Sequence, residues 1–158
     1  MTWPRSSLLI EADTSRYSAV MPGYFLGQLE HARQIGELPI LSAGSGTLDI
    51  HQLWSQTVSL SNEGQSIIDR RLLPGFRNPF AANGMSTLWG GQLATAAASL
   101  DAGGYDVMID ASRWMPDDRR AALVDIADLV VVLIRQTLPD AIAAREPIAR
   151  LHARLASA

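Results

Sequence analysis

Short apolar runs alternate with stretches of helical periodicity along this chain. Apolar runs bounded by polar, glycine or proline positions predict buried strands at residues 7–12, 67–73, 106–110 and 129–134. The last run, Leu-Val-Val-Val-Leu-Ile, has the β-branched composition most typical of a strand. Pro74 and Gly75 end the second strand.

Apolar positions spaced three or four residues apart predict helices at residues 24–35, 85–100 and 139–155, and a further helix beginning at Pro116. Gly90 and Gly91 weaken the second helix by roughly 1 kcal/mol per glycine. Pro147 should kink the last helix or split it in two. Residues 39–46 predict a loop, and residues 49–60 fit either a weak helix or an extended segment.

This order of elements predicts an α/β fold with a mostly parallel sheet and flanking helices. With 158 residues, 47% of them hydrophobic and 18% charged, the chain can bury the core of a single domain spanning residues 1–158. A net charge of -3 argues against a general binder of polyanions.

The absence of cysteine excludes disulfides, thiolate metal sites and thiol nucleophiles. No apolar run is long enough for a transmembrane segment, and the first residues lack the basic and apolar regions of a signal peptide. We therefore expect a cytoplasmic protein.

Polar side chains follow three of the predicted strands. They are Asp13 after the first, Asp110 with Ser112 after the third, and Arg135 with Thr137 after the fourth. Ligands of open α/β sheets bind at the carboxyl ends of strands, where an aspartate can bind Mg²⁺ or orient an attacking water. Equally, these aspartates can cap turns or the helices that follow.

Other motifs favour ordinary structural roles. The glycine-rich segment at 44–47 lacks a lysine and is a poor match to a phosphate loop. The three histidines show no metal-ligand spacing, and the segment at 117–120 predicts a solvated helix start. Arg145, Arg150 and Arg154 could contact DNA phosphates, although an exposed helix face is the simpler interpretation.

Four segments taken together resemble the ParA/MinD-like ATPases, deviant P-loop proteins that partition DNA or position cellular machinery. They are residues 3–13, 72–75, 105–113 and 127–138, which read WPRSSLLIEAD, LLPG, YDVMIDASR and ADLVVVLIRQTL. The resemblance implies that Asp13 helps position the attacking water and that Asp110 is the Walker B aspartate associated with Mg²⁺. It places Arg135 and Thr137 near the nucleotide base. ATP and Mg²⁺ are the implied cofactors, and a homodimer with nonspecific DNA binding is the implied assembly.

The chain also departs from that family. The resemblance implies a partial three-layer P-loop fold truncated at both ends, because the strand, lysine-containing loop and helix that open such a domain would lie upstream of Trp3. All thirteen basic residues are arginine, so no lysine can cradle the phosphates. We therefore expect most nucleotide affinity to be lost, ATP hydrolysis to be inactive or incomplete, and the chain to hold either ATP with Mg²⁺ or no cofactor. The family's opening strand is central, so without it the neighbouring strands would need another cover.

Three hypotheses follow. The first is a ParA/MinD-like domain without its phosphate loop. The second is a non-enzymatic α/β module that binds a protein partner or a second copy of itself. The third is an unrelated flavodoxin-like domain that binds a small ligand at its strand ends.

Overall fold

A four-stranded mixed sheet forms the centre of the computed structural model, which describes residues 4–28, 32–60, 68–114 and 118–157. The strands are β1 (Ser7–Glu11), β2 (Val58–Ser59), β3 (Arg70–Leu73) and β4 (Asp106–Asp110). Their spatial order is β2-β3-β1-β4, with β1 parallel to both β3 and β4 and only β2 antiparallel. The predicted α/β class with a mostly parallel sheet is confirmed.

Helices flank the sheet. The α-helices of the described residues are α1 (Val20–Gly23), α2 (Leu38–Ser42), α3 (Ile50–Ser55), α4 (Leu93–Ala102), α5 (Ala121–Asp125) and α6 (Leu138–Leu155). Short 3-10 helices occur at Ile35–Glu37 and Pro79–Gly84, and a π-helical turn at Leu88–Gln92 leads into α4. No helix in this part of the chain is both long enough and apolar enough to span a membrane.

The alternation of side chains along β1 divides the core between the two faces of the sheet. Leu8 and Ile10 are fully buried in the larger cluster, to which each of α2 to α5 contributes a leucine. Leu9 faces the other way and packs with Leu72 and Met21, the latter from α1. Burying each large aliphatic side chain of this kind contributes about 1.5–3 kcal/mol.

The predicted strand at residues 129–134 is wrong. These residues form no strand in the described structure, and Leu129 and Leu133 are 79% and 91% exposed. β-propensity is expressed only where a neighbouring strand supplies hydrogen bonds and packing. The described sheet ends at β4, so this run has no such neighbour.

The predicted helix at residues 24–35 is also wrong over its described part. The helix α1 ends at Gly23, just before the predicted segment, and positive φ angles at Leu26 and Gly27 turn the chain. Phe25 packs in the smaller cluster while Ile35 lies in the larger one, across the sheet. Their helical spacing therefore reflects two separate contacts. Residues 29–31 lie outside the described residues.

The loop predicted at residues 39–46 is wrong at its start, because α2 occupies Leu38–Ser42. Pro39 lies in the first turn of that helix, where a missing N–H costs little. The remainder is an ordinary turn, in which Ser45 Oγ donates to the carbonyl of Thr47 at 2.7 Å and Gly46 has a positive φ.

The segment at 49–60 contains both of the structures that its sequence allows. Asp49 caps α3 by accepting a hydrogen bond from the Gln52 amide at 2.8 Å, and the Gln52 side chain completes the capping box. The chain then enters β2. β3 confirms the strand predicted at 67–73 from Arg70 onward, while Ile67 lies outside the described residues.

The two longest predicted helices are confirmed with adjustments. Gly91, with a φ of 140°, kinks the segment predicted at 85–100 into a π-helical turn followed by α4. α6 is one continuous helix through Pro147, so the predicted split does not occur. α5 begins only at Ala121, whereas Pro116 lies outside the described residues.

Replacing Gly75 with alanine should destabilise the fold, because the new Cβ would lie 3.1 Å from the Cβ of Glu11. We expect a loss of roughly 1–3 kcal/mol in the free energy of unfolding, measured by urea denaturation. Gly44→Ala is the matched control, since no atom lies within 4 Å of its added Cβ. Equal stability of the two variants would contradict this close approach.

Candidate functional site

The carboxyl ends of β1 and β4 meet at one edge of the sheet. The two strands are parallel, and their register places Glu11 beside Asp110. The Ala12 amide donates to the Asp110 carbonyl at 2.9 Å, which continues the pairing one residue beyond β1. Asp13 and Asp110 therefore emerge from neighbouring strands at the same edge.

Local donors surround the carboxylate of Asp13. The amide and hydroxyl of Ser15 donate to its Oδ1 at 2.8 and 2.6 Å, and Arg16 Nε donates to Oδ2 at 2.5 Å. Burial alone would raise the pKa of Asp13, but hydrogen bonds from Ser15, the Ser112 side chain and Arg16 outweigh it and hold the pKa below its ordinary 3.8. Asp13 is therefore ionised at neutral pH.

Ser112 lies in the turn that follows β4. Its amide donates to Asp110 Oδ1 at 2.8 Å. A φ of 50° places Ser112 in the left-handed region, which is uncommon for a residue other than glycine, asparagine or aspartate. The turn after β4 is thus bent so that the Ser112 amide contacts the carboxylate of Asp110.

The donor set suits Mg²⁺ better than a transition metal. Mg²⁺ takes oxygen ligands and is commonly bound through one or two carboxylates, with water and substrate phosphates completing its shell. Asp13 and Asp110 supply carboxylate oxygens, and Ser112 supplies a hydroxyl. The described residues contain no group of three or more His, Cys, Asp or Glu side chains placed to hold a metal. These strand ends therefore fit an ion whose coordination shell is completed by a bound ligand and water, rather than a site in which protein atoms supply every ligand.

A buried arginine fixes the backbone at this edge. Arg120 is only 3% exposed and donates to the carbonyls of Ala12 at 2.7 Å and Arg113 at 2.8 Å, and to that of Ala111. Asp118 accepts from the same guanidinium. Arg120 thereby ties the chain leaving β1 to the chain leaving β4.

A buried glutamate performs the corresponding task between β1 and β3. Glu11 is 6% exposed and accepts from the hydroxyl of Ser18 and from the amides of Ala19, Val20 and Gly75. These bonds hold the start of α1 and the end of β3 against β1. The carboxylate of Glu11 satisfies all of these donors, so truncating Glu11 would leave several of them unpaired.

The sequence analysis did not predict the structural roles of Arg120 and Glu11. Arg120 lies in the segment 117–120, which was predicted to be a solvated helix start. The prediction is wrong for Arg120, because its buried guanidinium donates to carbonyls as far away in the sequence as that of Ala12. Asp117 lies outside the described residues. No periodic pattern signals a contact across 108 residues. Glu11 carried a detectable signal, since a single carboxylate interrupts an otherwise apolar buried strand.

The hydrogen bonds and ion pairs of Arg135 and Thr137 do not involve the aspartates at this edge. Thr137 caps α6, accepting from the Asp140 amide at 3.3 Å and donating to its Oδ2 at 2.6 Å. Arg135 is exposed directly after the unpaired run. In the described part of the chain, neither residue forms a hydrogen bond or ion pair with Asp13 or Asp110. Their predicted role near a nucleotide base stays a prediction.

Two of the arginines considered for DNA contact form ion pairs on the protein itself. Arg150 Nε lies 2.8 Å from Glu146 Oε1, and Arg154 binds both carboxylate oxygens of Asp125 at 2.6 Å. The Arg154 hydrogen bond lowers the pKa of Asp125. The second pair ties α6 to α5 and accounts for Arg154 without nucleic acid.

No protein-family model matches the chain, and no curated protein or solved structure is detectably similar to it. The fold and the strand-end geometry therefore carry the functional argument.

Replacing Arg120 with methionine should destabilise the protein, because Asp118 and three backbone carbonyls lose their buried donor. We expect a loss of about 3 kcal/mol in the free energy of unfolding, measured by urea denaturation. Arg119→Met is the control at the exposed neighbouring position, where the loss should stay below about 1 kcal/mol. Similar losses in both variants would argue against the strand-end role of Arg120.

Replacing Ser15 with alanine should raise the pKa of Asp13 toward 3.8, since the variant loses the hydroxyl donor at 2.6 Å. An NMR titration of the Asp13 carboxyl measures this shift, with Ser55→Ala as a control because Ser55 donates to the Gln52 carbonyl in α3. A lowered folded-state pKa contributes stability above pH 3.8, and that contribution is lost as the pH falls through the folded pKa. Ser15→Ala should therefore reduce the amount of stability that the protein loses as the pH falls through this window. An unchanged Asp13 titration would contradict the assignment.

Proposed function

We propose that the chain is a ParA/MinD-like domain that carries the magnesium and water-positioning edge of a nucleotide site without its phosphate loop. The observation that supports this most strongly is the placement of Asp13 and Asp110 at the carboxyl ends of neighbouring parallel strands. Ligands of open α/β sheets bind at this end of the strands. The ancestral function would be ATP-dependent partitioning or positioning.

The two aspartates have different roles in this proposal. Asp110 ends the more exposed strand, β4, and coordinates Mg²⁺ directly or through water. Asp13 is ionised and held by Ser15 and Arg16, so it orients a water molecule rather than moving between protonation states. The Ser112 amide holds the carboxylate of Asp110 in place. Arg135 and Thr137 are proposed to lie toward the nucleotide base.

The proposal includes a limit on activity. No lysine occurs among the 158 residues, and the glycine-containing turn at 44–47 offers no phosphate cradle. Phosphoryl transfer depends on positioning and on stabilising charge at the phosphates, which these residues alone do not supply. We therefore expect weak nucleotide binding and no ATP hydrolysis by this chain alone.

A second candidate is a non-enzymatic α/β module that binds a protein partner. The exposed apolar run at residues 129–134 favours it, because such a patch is uncommon on the surface of a monomeric domain. The two candidates are compatible, since a scaffold with half of a nucleotide site can still present an interaction surface.

Isothermal titration calorimetry with ATP and Mg²⁺ tests the nucleotide proposal. We expect Mg²⁺-dependent binding that Asp110→Asn weakens at least about tenfold, or about 1.4 kcal/mol, because an amide is a poorer ligand for the ion. Asp13→Asn should weaken it less, since Asp13 acts on water.

The matched control is Asp101→Asn, which changes an exposed carboxylate in α4, away from the strand ends. Binding should be unaffected there, with circular dichroism melts confirming that every variant is folded. Undetectable binding at millimolar ATP, or binding that Asp110→Asn leaves intact, would count against the proposal.

A further inference from the structure

A cleft opens beyond the carboxyl end of β3. It has a volume of about 580 Å³ and lies between the 3-10 helix Ile35–Glu37 with α2 on one side and the 3-10 helix Pro79–Gly84 on the other. Ligands of open α/β sheets bind beyond the carboxyl ends of strands, and small-molecule sites have volumes of roughly 300–1,000 Å³. The cleft therefore has the place and the size of a small-molecule site.

Both walls of the cleft are fixed to the core. In the first wall, Ile35 is fully buried and its amide donates to the Pro74 carbonyl at 2.9 Å. In the second wall, the buried Trp89 donates through Nε1 to the carbonyl of Ala82 at 3.2 Å. Phe76, which lies between β3 and the second wall, is also fully buried. The cleft is thus formed before a ligand binds, which reduces the entropy cost of binding.

The side chain of Gln34 connects the two walls. Its Oε1 accepts a hydrogen bond from the Arg77 amide at 2.8 Å, and its Nε2 donates to Glu37 Oε1 at 3.1 Å. A Cβ on Gly36 would lie 3.3 Å from Gln34 Oε1, so glycine at this position leaves room for the bridge. One primary amide therefore fixes the carboxylate of Glu37 relative to the backbone of Arg77.

Two opposite charges line this cleft without pairing with each other. Arg77 is exposed, and within the described residues its guanidinium forms no hydrogen bond or ion pair. Glu37 accepts the hydrogen bond from Gln34 but forms no ion pair with any residue of the described ranges. A guanidinium binds a carboxylate through two parallel hydrogen bonds, and a carboxylate accepts from an ammonium group. The cleft therefore suits a ligand that carries both charges.

Apolar side chains form much of the remaining lining. Pro39 and Ile40 lie on α2, and Met85 follows the 3-10 helix of the opposite wall. Ile40 is 70% exposed, so a ligand would remove apolar surface from water there. Asn78 also lines the cleft, but its Oδ1 accepts from the Phe80 amide at 3.1 Å. A ligand that fits this lining carries an aliphatic group beside its charges.

We propose that this cleft binds a free α-amino acid with an aliphatic side chain. Arg77 binds the carboxylate of the ligand, Glu37 accepts hydrogen bonds from its ammonium group, and its side chain lies against Ile40 and Met85. The carboxylate of Glu37 disfavours a phosphate in the same cleft, because like charges repel. This inference is independent of the proposed function, since it uses neither Asp13 nor Asp110.

Titration of the ¹⁵N-labelled protein with L-leucine, followed by NMR, tests the proposal. We expect saturable shifts at the amides of Gly36, Glu37, Arg77 and Met85. N-acetyl-leucine lacks the ammonium group and leucinamide lacks the carboxylate, so each should bind at least about tenfold more weakly than leucine. No saturable shift at tens of millimolar leucine would overturn the proposal. So would inorganic phosphate that binds the same amides as tightly as leucine does, because the cleft would then be a general anion site.

Two substitutions assign the charges of the ligand to their partners. Arg77→Gln should weaken leucine binding at least about tenfold and remove the preference for leucine over leucinamide. Glu37→Gln should remove the preference for leucine over N-acetyl-leucine. Arg145→Gln is the matched control, because Arg145 is exposed on α6 and does not line the cleft; it should bind leucine as the unsubstituted chain does. Leucine binding that Arg77→Gln leaves intact in a folded protein would contradict the proposal.

Discussion

Two buried charged side chains, Glu11 and Arg120, hold the carboxyl ends of three parallel strands in register. Strand ends are where ladder hydrogen bonds stop, so their backbone groups need other partners. Glu11 satisfies the amide of Gly75, which follows β3, and that of Ala19, which precedes α1, and Arg120 satisfies carbonyls that follow β1 and β4. These bonds fix the backbone from which Asp13 and Asp110 emerge at the carboxyl ends of neighbouring strands.

The sequence predicted what depends on local pattern. β1, β4 and α6 were found because apolar runs and helical spacing report burial directly. The edge of Asp13 and Asp110 followed from the rule that parallel strands end together. The bonds of Arg120 were not predicted because its partner carbonyls are distant in the sequence. The helix predicted at 24–35 is wrong because Phe25 and Ile35 pack on different faces of the sheet.

The wrong strand prediction at residues 129–134 is informative in another way. Its composition favours a strand, yet a strand needs a neighbour, and no strand of the described residues pairs with it.

Mapping the backbone amide shifts of the ¹⁵N-labelled protein by NMR, as Mg²⁺ and ATP are added, tests the central claim most directly. The account predicts shifts concentrated at Asp13, Ser15, Asp110 and Ser112, dependent on Mg²⁺. Shifts confined to another surface, or no shifts at millimolar ATP, would contradict the claim that this edge is a nucleotide site.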